Sequence, residues 1–503
     1  MKTAILLATL LIILEASSQT QTVVRTDAGK VSGSSAQGIR IFKGIPFATP
    51  PTGELRWKPP MPAKTWKGVR KCVEFGPSPM QAKPAPFGPW TGPYLISPSP
   101  IGEDCLYLNV WTPANKAGEK LPVLVWIYGG GFVSGGSSCR IYDGKAMASK
   151  GIVVVSFNYR VGLFGFFAHP ELSKESTHQA SGNYGLLDQI AALQWVSRNI
   201  RSFGGDPTNV TIAGQSAGSM SVNALVASPL AKGLFKRAIA QSGANFTRTN
   251  PSLAEAEQEG LKIADGAALD LLRRLPAEAI MDKASGMRGP VIDGYVLPEH
   301  IADIFRTGKA NKVDLLTGWN IDEGLMFGPP KTAGEFRKDL TDLFGSDSTE
   351  ALGHYMASTD GEALLSQLEL SRDRVFAMHN YIWAKSESER GNRVYLYRFG
   401  RKVPAEGELA RFGAFHTGEV PYVFDNLEYG DRPYSSEDSG LANLMSSFWV
   451  NFIKTGNPNA QGLPDWPLFG SEGRSMYFDL KSTDLPTPEK AQLELLHRKT
   501  VRN

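Results

Sequence analysis

Gly214-Gln215-Ser216-Ala217-Gly218 sets a serine between glycines two residues to either side, directly after the β-rich Val210-Thr211-Ile212 and directly before the helix-forming Met220 to Val226. A serine on a sharp strand-to-helix turn stands at the strand end where open α/β sheets bind ligands, and the flanking glycines remove side chains that would collide across the turn. The chemistry this implies is nucleophilic attack on a carbonyl. A hydroxyl is a weak nucleophile until a base takes its proton, and acyl transfer needs N–H donors where the oxyanion develops. Tyr128-Gly129-Gly130-Gly131-Phe132 follows the apolar run Leu121 to Tyr128, and consecutive glycines let backbone approach a bound carbonyl without Cβ obstruction. The N–H groups of Gly130, Gly131 and Ala217 are the expected oxyanion hole. A phosphate cradle is the competing use of such a run, but no Lys-Ser/Thr follows it as a P-loop requires.

The base must come from seven histidines. His169 and His178 precede Ser216, whereas this kind of site orders its members serine, acid, histidine. His497 lies in a charged tail, and His300, His354 and His379 fall in or near helical excursions. His416 differs: it sits among small and turn-forming residues, Gly413-Ala414-Phe415-His416-Thr417-Gly418, in a loop able to aim an imidazole. The acid is expected between Ser216 and His416, near another strand end. Asn320-Ile321-Asp322-Glu323-Gly324 follows the strand-like Val313 to Thr317, and spacing leaves Asp322 and Glu323 as alternatives for holding the histidine tautomer.

These residues need a scaffold that converges strand ends. Apolar runs of strand length, Leu121 to Tyr128, Ile152 to Asn158, Asn209 to Ala213, Arg237 to Gln241 and Val313 to Thr317, alternate with helical stretches such as Asn183 to Arg198 and Ala217 to Ala227. Continuous Val/Ile/Leu strands separated by helices predict an α/β fold, a mostly parallel sheet with helices on both faces. Val23 to Ile45 reads as an antiparallel start, and Trp57 to Pro100 as Pro-rich surface loops. Pro251 to His300 and Thr332 to Glu389 read as helical insertions, before a strand at Arg393 to Phe399 and a closing helix, Leu441 to Thr455, stopped by Gly456. No internal repeat or Gly/Ser-rich linker marks a boundary, so residues 19–503 are expected to form one domain.

Composition narrows the partners. With 53 Lys+Arg against 50 Asp+Glu, the 503-residue chain carries +3, without a polybasic or acidic arm, which argues against nucleic acid. No His-Glu-x-x-His motif or paired Cys/His spacing suggests a metal, and no cofactor is expected. The basic Met1-Lys2, the apolar Ala4 to Leu14 and the small Ala16-Ser17-Ser18 read as a signal peptide, residues 1–18, with cleavage after Ser18 and a secreted or periplasmic destination. No later segment is apolar enough to span a bilayer. Export implies an oxidising compartment, where Cys72, Cys105 and Cys139 could close at most one internal disulfide.

The motifs together resemble the type-B carboxylesterases, relatives of the cholinesterases within the α/β-hydrolase fold. The resemblance rests on Phe42-Lys43-Gly44-Ile45-Pro46-Phe47-Ala48, Glu103-Asp104-Cys105-Leu106-Tyr107-Leu108-Asn109, Asn158-Tyr159-Arg160-Val161-Gly162, Gly182-Asn183-Tyr184-Gly185-Leu186-Leu187-Asp188-Gln189, Phe203-Gly204-Gly205-Asp206-Pro207 through Gly218, and Trp449-Val450-Asn451-Phe452. It implies Ser216 as nucleophile, Glu323 as acid and His416 as base, with Ser242 supporting the acid by a hydrogen bond. It further implies a Cys72–Cys105 disulfide and ion pairs Arg56–Glu103 and Arg160–Asp188. Gln215 departs from the glutamate of cholinesterases, and Leu95 stands where counting places their choline-binding tryptophan, with Trp90 and Tyr94 out of register. The implied activity is hydrolysis of small neutral aryl or alkyl esters through an acyl-enzyme, with Phe132, Phe327 and Phe415 as wall residues. Lipase-like, choline-ester and non-catalytic adhesion roles are the alternatives on this scaffold. The oligomeric state is not legible.

Overall fold

Strands buried on both faces have no polar side to show, so they stack side by side beneath helices. The computed structural model describes residues 22–502 except 98–99, 248, 284–288 and 326–328; the expected signal peptide and Phe327 lie outside the described residues. The main sheet is built from β1 (Thr22–Arg25), β2 (Lys30–Ala36), β3 (Ile39–Pro46), β4 (Tyr107–Thr112), β5 (Leu121–Ile127), β6 (Val153–Phe157), β7 (Gly205–Gln215), β8 (Arg237–Gln241), β9 (Asp314–Asn320), β10 (Val394–Phe399), β11 (Arg474–Phe478) and β12 (Thr483–Pro486). Their spatial order is β1-β2-β3-β4-β6-β5-β7-β8-β9-β10-β11-β12, and a thirteenth short strand, Val69–Lys71, pairs parallel with β2 off this path. From β6 through β11 every neighbour is parallel. The margins, β1 to β4 with β6, and β12, are antiparallel. This is the mostly parallel α/β sheet that the apolar runs predict, and it agrees with the α/β-hydrolase fold that the resemblance implies.

The helices that matter to the site are α1 (Tyr184–Asn199), α2 (Ala217–Ala227), α3 (Asp360–Arg372), α4 (Met378–Glu389) and α5 (Ser436–Thr455). The last begins five residues before its apolar stretch, because Ser435 and Asp438 form a reciprocal capping box; Gly456 ends it in the left-handed region at φ 76°. Seven tryptophans, Trp111, Trp126, Trp195, Trp319, Trp383, Trp449 and Trp466, are among the fully buried side chains that fill the space between sheet and helices. Both expected ion pairs are present, Arg56 Nη2 to Glu103 Oε1 at 2.6 Å and Arg160 Nη2 to Asp188 Oδ1 at 2.7 Å.

The disulfide is not. Cys72, Cys105 and Cys139 are all free and buried. Cys72 is fixed in the N-terminal sheet, its N–H donating to the Ser32 carbonyl and its carbonyl accepting from the Lys43 N–H, with its thiol turned to the Gly44 carbonyl. Cys105 instead lines a small cavity with the buried Arg56 and Arg160 and the partly buried Glu103. Burial pushes the Cys72 thiol up to about 11 and Cys139 up to about 12, so neither is a thiolate nucleophile near neutral pH.

Register brings the site together. Gln215 pairs with Gln241 across β7 and β8, and Gln241 with Gly318 across β8 and β9. The segments that leave these strands therefore emerge side by side at one edge.

Candidate active site

Ser216 occupies the N-cap of α2 with φ 59° and ψ −128°, a conformation that costs a non-glycine residue about 1–3 kcal/mol. Its N–H donates to the Gln241 carbonyl at 2.9 Å, which ties the elbow to β8. The glycines on either side are required by contact: a Cβ at Gly214 would lie 2.4 Å from the Gly218 backbone, and one at Gly218 2.0 Å from the Ile127 carbonyl oxygen. The spacing in sequence is thus the footprint of β7, α2 and β5 meeting at one point.

Gly130 and Gly131 follow β5 with φ 114° and 62°, are exposed, and a Cβ on Gly130 would lie 2.2 Å from the Ser134 carbonyl oxygen. Gly129 presses directly on Ser216, the position of its absent Cβ being 2.9 Å from Ser216 Cβ. Ala217 supplies the first amide of α2, and an amide at that position has no carbonyl partner within its own helix.

His416 is 7% exposed, and its Nδ1 lies 2.7 Å from Glu323 Oε2. The other oxygen of Glu323 accepts the Asn320 N–H at 2.9 Å. Asp322, the alternative that spacing left open, turns away: its Oδ2 accepts the Ala414 N–H at 2.8 Å. Together with Asn320 Nδ2 donating to the Phe415 carbonyl at 2.8 Å, it fastens the histidine loop to the loop that carries Glu323. Of two adjacent carboxylates, one orients the imidazole and the other holds the loop beneath it. His379, excluded on its helical setting, is indeed packed in α4, where its Nδ1 accepts the Phe246 N–H.

Gln215 does more than precede Ser216. Its Nε2 lies 3.2 Å from His416 Nε2 and 3.4 Å from Nδ1. With the Nδ1 proton directed to Glu323, Nε2 is the acceptor of the pair. Thr417 Oγ1 donates to Gln215 Oε1 at 3.3 Å and accepts from Trp90 Nε1 at 3.2 Å. Trp90 therefore reaches the site despite its displacement from the counted position, its ring centroid 6.4 Å from that of His416 at 79°. Trp90 is set in a local turn, paired with Phe87 and followed by the 3₁₀ turn Gly92–Tyr94. Ser216 itself is half-buried.

The Ser242 expectation needs correction. Its Oγ is buried without a hydrogen bond to Glu323 and interacts instead with the buried Tyr397 hydroxyl. Phe132 and Phe415 are buried against other aromatics, Phe132 with its ring 5.2 Å from Phe166, and Phe415 5.6 Å from Tyr94 and 6.5 Å from Trp90. Among the described residues no group of three His, Cys, Asp or Glu could hold a metal ion, and no helix is long and apolar enough to cross a membrane.

One residue escapes sequence reasoning altogether. Glu419, fully buried three positions after His416, accepts Gln241 Nε2 at 3.0 Å and Asn320 Nδ2 at 2.6 Å. Burial, and then repulsion from Glu323, push its carboxyl up to about 6. The only sequence signal is a single charge before the apolar Val420-Pro421-Tyr422-Val423-Phe424.

Known proteins share both the sequence and the shape. The profile described as "Carboxylesterase family" matches residues 20–494. Fumonisin B1 esterase of Sphingopyxis macrogoltabida is 38% identical over 479 residues, covering 91% of this chain and 86% of that protein. Para-nitrobenzyl esterase of Bacillus subtilis is 35% identical over 500 residues, covering 95% and 99%. A solved PNB esterase structure superposes with TM-score 0.80 at 34% identity over 95% of this chain and 100% of its own. A carboxylesterase of Geobacillus stearothermophilus gives TM-score 0.81 at 34% identity over 95% and 100%.

Proposed function

This chain belongs to the carboxylesterase family and is a carboxylic-ester hydrolase, and we propose that it works through a Ser216-His416-Glu323 triad and an acyl-enzyme. The observation that carries this reading is the 2.7 Å contact between His416 Nδ1 and Glu323 Oε2, made in a loop pinned beside the strained Ser216 turn. A carboxylate on Nδ1 fixes the tautomer that leaves Nε2 free to take a proton.

Ser216 Oγ attacks the ester carbonyl carbon while its proton passes to His416 Nε2, which must first exchange the Gln215 amide for the hydroxyl. The carbonyl oxygen becomes an oxyanion facing the N–H groups of Gly130, Gly131 and Ala217. Collapse breaks the bond to the leaving alkoxide, and the imidazolium protonates it. Water, giving its proton to the same imidazole, then attacks the acyl-enzyme carbonyl and releases the acid.

Small neutral aryl or alkyl esters are the proposed substrates. Gln215 contributes no charge beside the base, and the rings around it, Trp90 among them, offer apolar surface. The proposal includes export, with Met1 to Ser18 removed as a leader. The test is Ser216→Ala assayed with p-nitrophenyl acetate: turnover falls roughly 10⁴-fold or more with the circular dichroism spectrum unchanged. Activity retained within tenfold of the parent refutes the triad.

A further inference from the structure

The segment joining α3 to α4, Asp373–Ala377, is a turn of π-helix. Such turns are rare, interrupt an otherwise regular helix and recur at functional sites. Here the turn carries Phe376, whose ring lies flat on the imidazole of His416, with centroids 4.4 Å apart and planes 18° from parallel. Phe376 is only 2% exposed, so the stack is enclosed rather than a surface contact.

The same helix is joined to the acid. Arg372 Nη1 donates to the Ile321 carbonyl at 3.1 Å, two residues before Glu323. Ser371 Oγ donates to the Leu325 carbonyl at 2.6 Å, two residues after it. Between them Gly324 lies so close that a Cβ would stand 2.2 Å from the Leu368 carbonyl oxygen. Arg372 is held in turn by Asp373 at 2.8 Å, and Asp373 by the Tyr355 hydroxyl at 2.9 Å and Gln492 Nε2 at 2.6 Å. One rigid element therefore grips the acid loop on both sides of Glu323 and presents a ring to the base.

We propose that Phe376 is a positioning residue of this hydrolase, acting through His416: it holds the imidazole plane toward Glu323 and Ser216 and stabilises the imidazolium that forms during acylation. The inference rests on the triad reading above. An aromatic face attracts a cation laid over it, and an imidazole stacked on one side cannot rotate about its Cβ–Cγ bond without losing the contact. The charged groups near the imidazole are Glu323 on the acid loop, Asp322 beneath the histidine loop, Glu419 one turn beyond it, and Arg372, Asp373 and Arg374 on the helix that bears Phe376. Gln215 and Trp90, on the remaining sides, are neutral. None of these changes when Phe376 is replaced by another apolar residue, so a shift of the base can be read as the loss of the ring.

The experiment is the pH dependence of kcat/KM and kcat with p-nitrophenyl acetate for the full chain, for Phe376→Leu and Phe376→Tyr, and for Ser216→Ala beside them. Leucine is expected to lower kcat about threefold to tenfold and to move the acidic limb down by about half a unit to one unit, since the protonated base loses its stabilising face. Tyrosine, which keeps the ring, is expected to restore both to within about twofold of the parent. Phe376→Met repeats the leucine test with a flexible side chain in case leucine disturbs packing. An acidic limb that does not move in either aliphatic variant overturns the proposal, as does a tyrosine variant as impaired as leucine. Those results leave the triad standing if Ser216→Ala is inactive, whereas an active Ser216→Ala removes the triad and this inference with it.

Discussion

Adjacent carboxylates that differ only in which way they face must respond very differently to the same chemical change. Glu323 Oε2 lies 2.7 Å from His416 Nδ1. In Glu323→Gln the side chain can present an amide N–H to that nitrogen, so the imidazole proton moves to Nε2 and the base is blocked at the atom that must accept from serine. Loss of the correct tautomer in triad hydrolases costs roughly 10³- to 10⁴-fold in kcat, while fold stability changes little. Asp322 accepts one amide proton, from the buried Ala414. Asp322→Asn keeps an oxygen for that bond, and activity is expected within about fivefold of the parent. Asp322→Ala removes the acceptor and is expected to cost about 1–3 kcal/mol of stability through the unpaired buried N–H. The assays are steady-state turnover of p-nitrophenyl acetate and urea denaturation of each variant. If Asp322→Asn is as inactive as Glu323→Gln, or if Glu323→Gln keeps a tenth of the activity, the division of labour between the two residues is wrong.

Other consequences follow from the same geometry. In Gln215→Glu a carboxylate replaces the amide 3.2 Å from His416 Nε2; it should raise the imidazole pKa, move the acidic limb of kcat/KM up by about one unit, and favour cationic over neutral esters. Equal relative rates on charged and neutral esters, with an unmoved limb, would show that the position selects nothing. Glu419, held up to about 6 against an unfolded carboxyl near 4.3, favours the folded state in its protonated form. That contribution is fully present below about pH 4.3 and is lost as pH rises through about 6, amounting to roughly 2 kcal/mol by pH 8. Urea midpoints from pH 4 to 8 should therefore fall less steeply in Glu419→Gln than in the parent; parallel curves would count against the shifted carboxyl. Gly440, inside α5 with nothing within 4 Å of its absent Cβ, should accept alanine with a gain of about 0.5–1 kcal/mol. Gly218→Ala, whose Cβ would meet the Ile127 carbonyl oxygen at 2.0 Å, should instead prevent soluble folding or sharply lower the melting temperature.

Where local pattern and tertiary environment agree, the chain could be read directly. Helix Ala217–Ala227 and strand Arg237–Gln241 occur with the bounds their sequence predicts, because a buried strand needs continuous apolar residues, and the helix runs from the Ser216 turn through small and apolar residues to Ser228-Pro229. β7 extends beyond the predicted Asn209 to Ala213, to Gly205–Gln215, since pairing with β5 recruits residues whose own propensity is indifferent. The Cys72–Cys105 pairing, implied by resemblance, is not formed: both cysteines are free and buried, with the Cys72 thiol turned to the Gly44 carbonyl.

The order and types of residues along the chain were enough to determine the α/β class, the sharp strand-to-helix turn at Ser216, the glycine run beside it and the histidine loop, because each depends on steric rules acting over a few neighbouring residues. Which of Asp322 and Glu323 faces the base, that Trp90 and Gln215 reach the imidazole, that Glu419 is buried next to Glu323 and that Phe376 lies flat on His416 were decided only by tertiary structure. Those contacts join residues from tens of positions to more than three hundred apart, and nothing local records the direction in which a side chain will point once strands from distant parts of the chain have come into register.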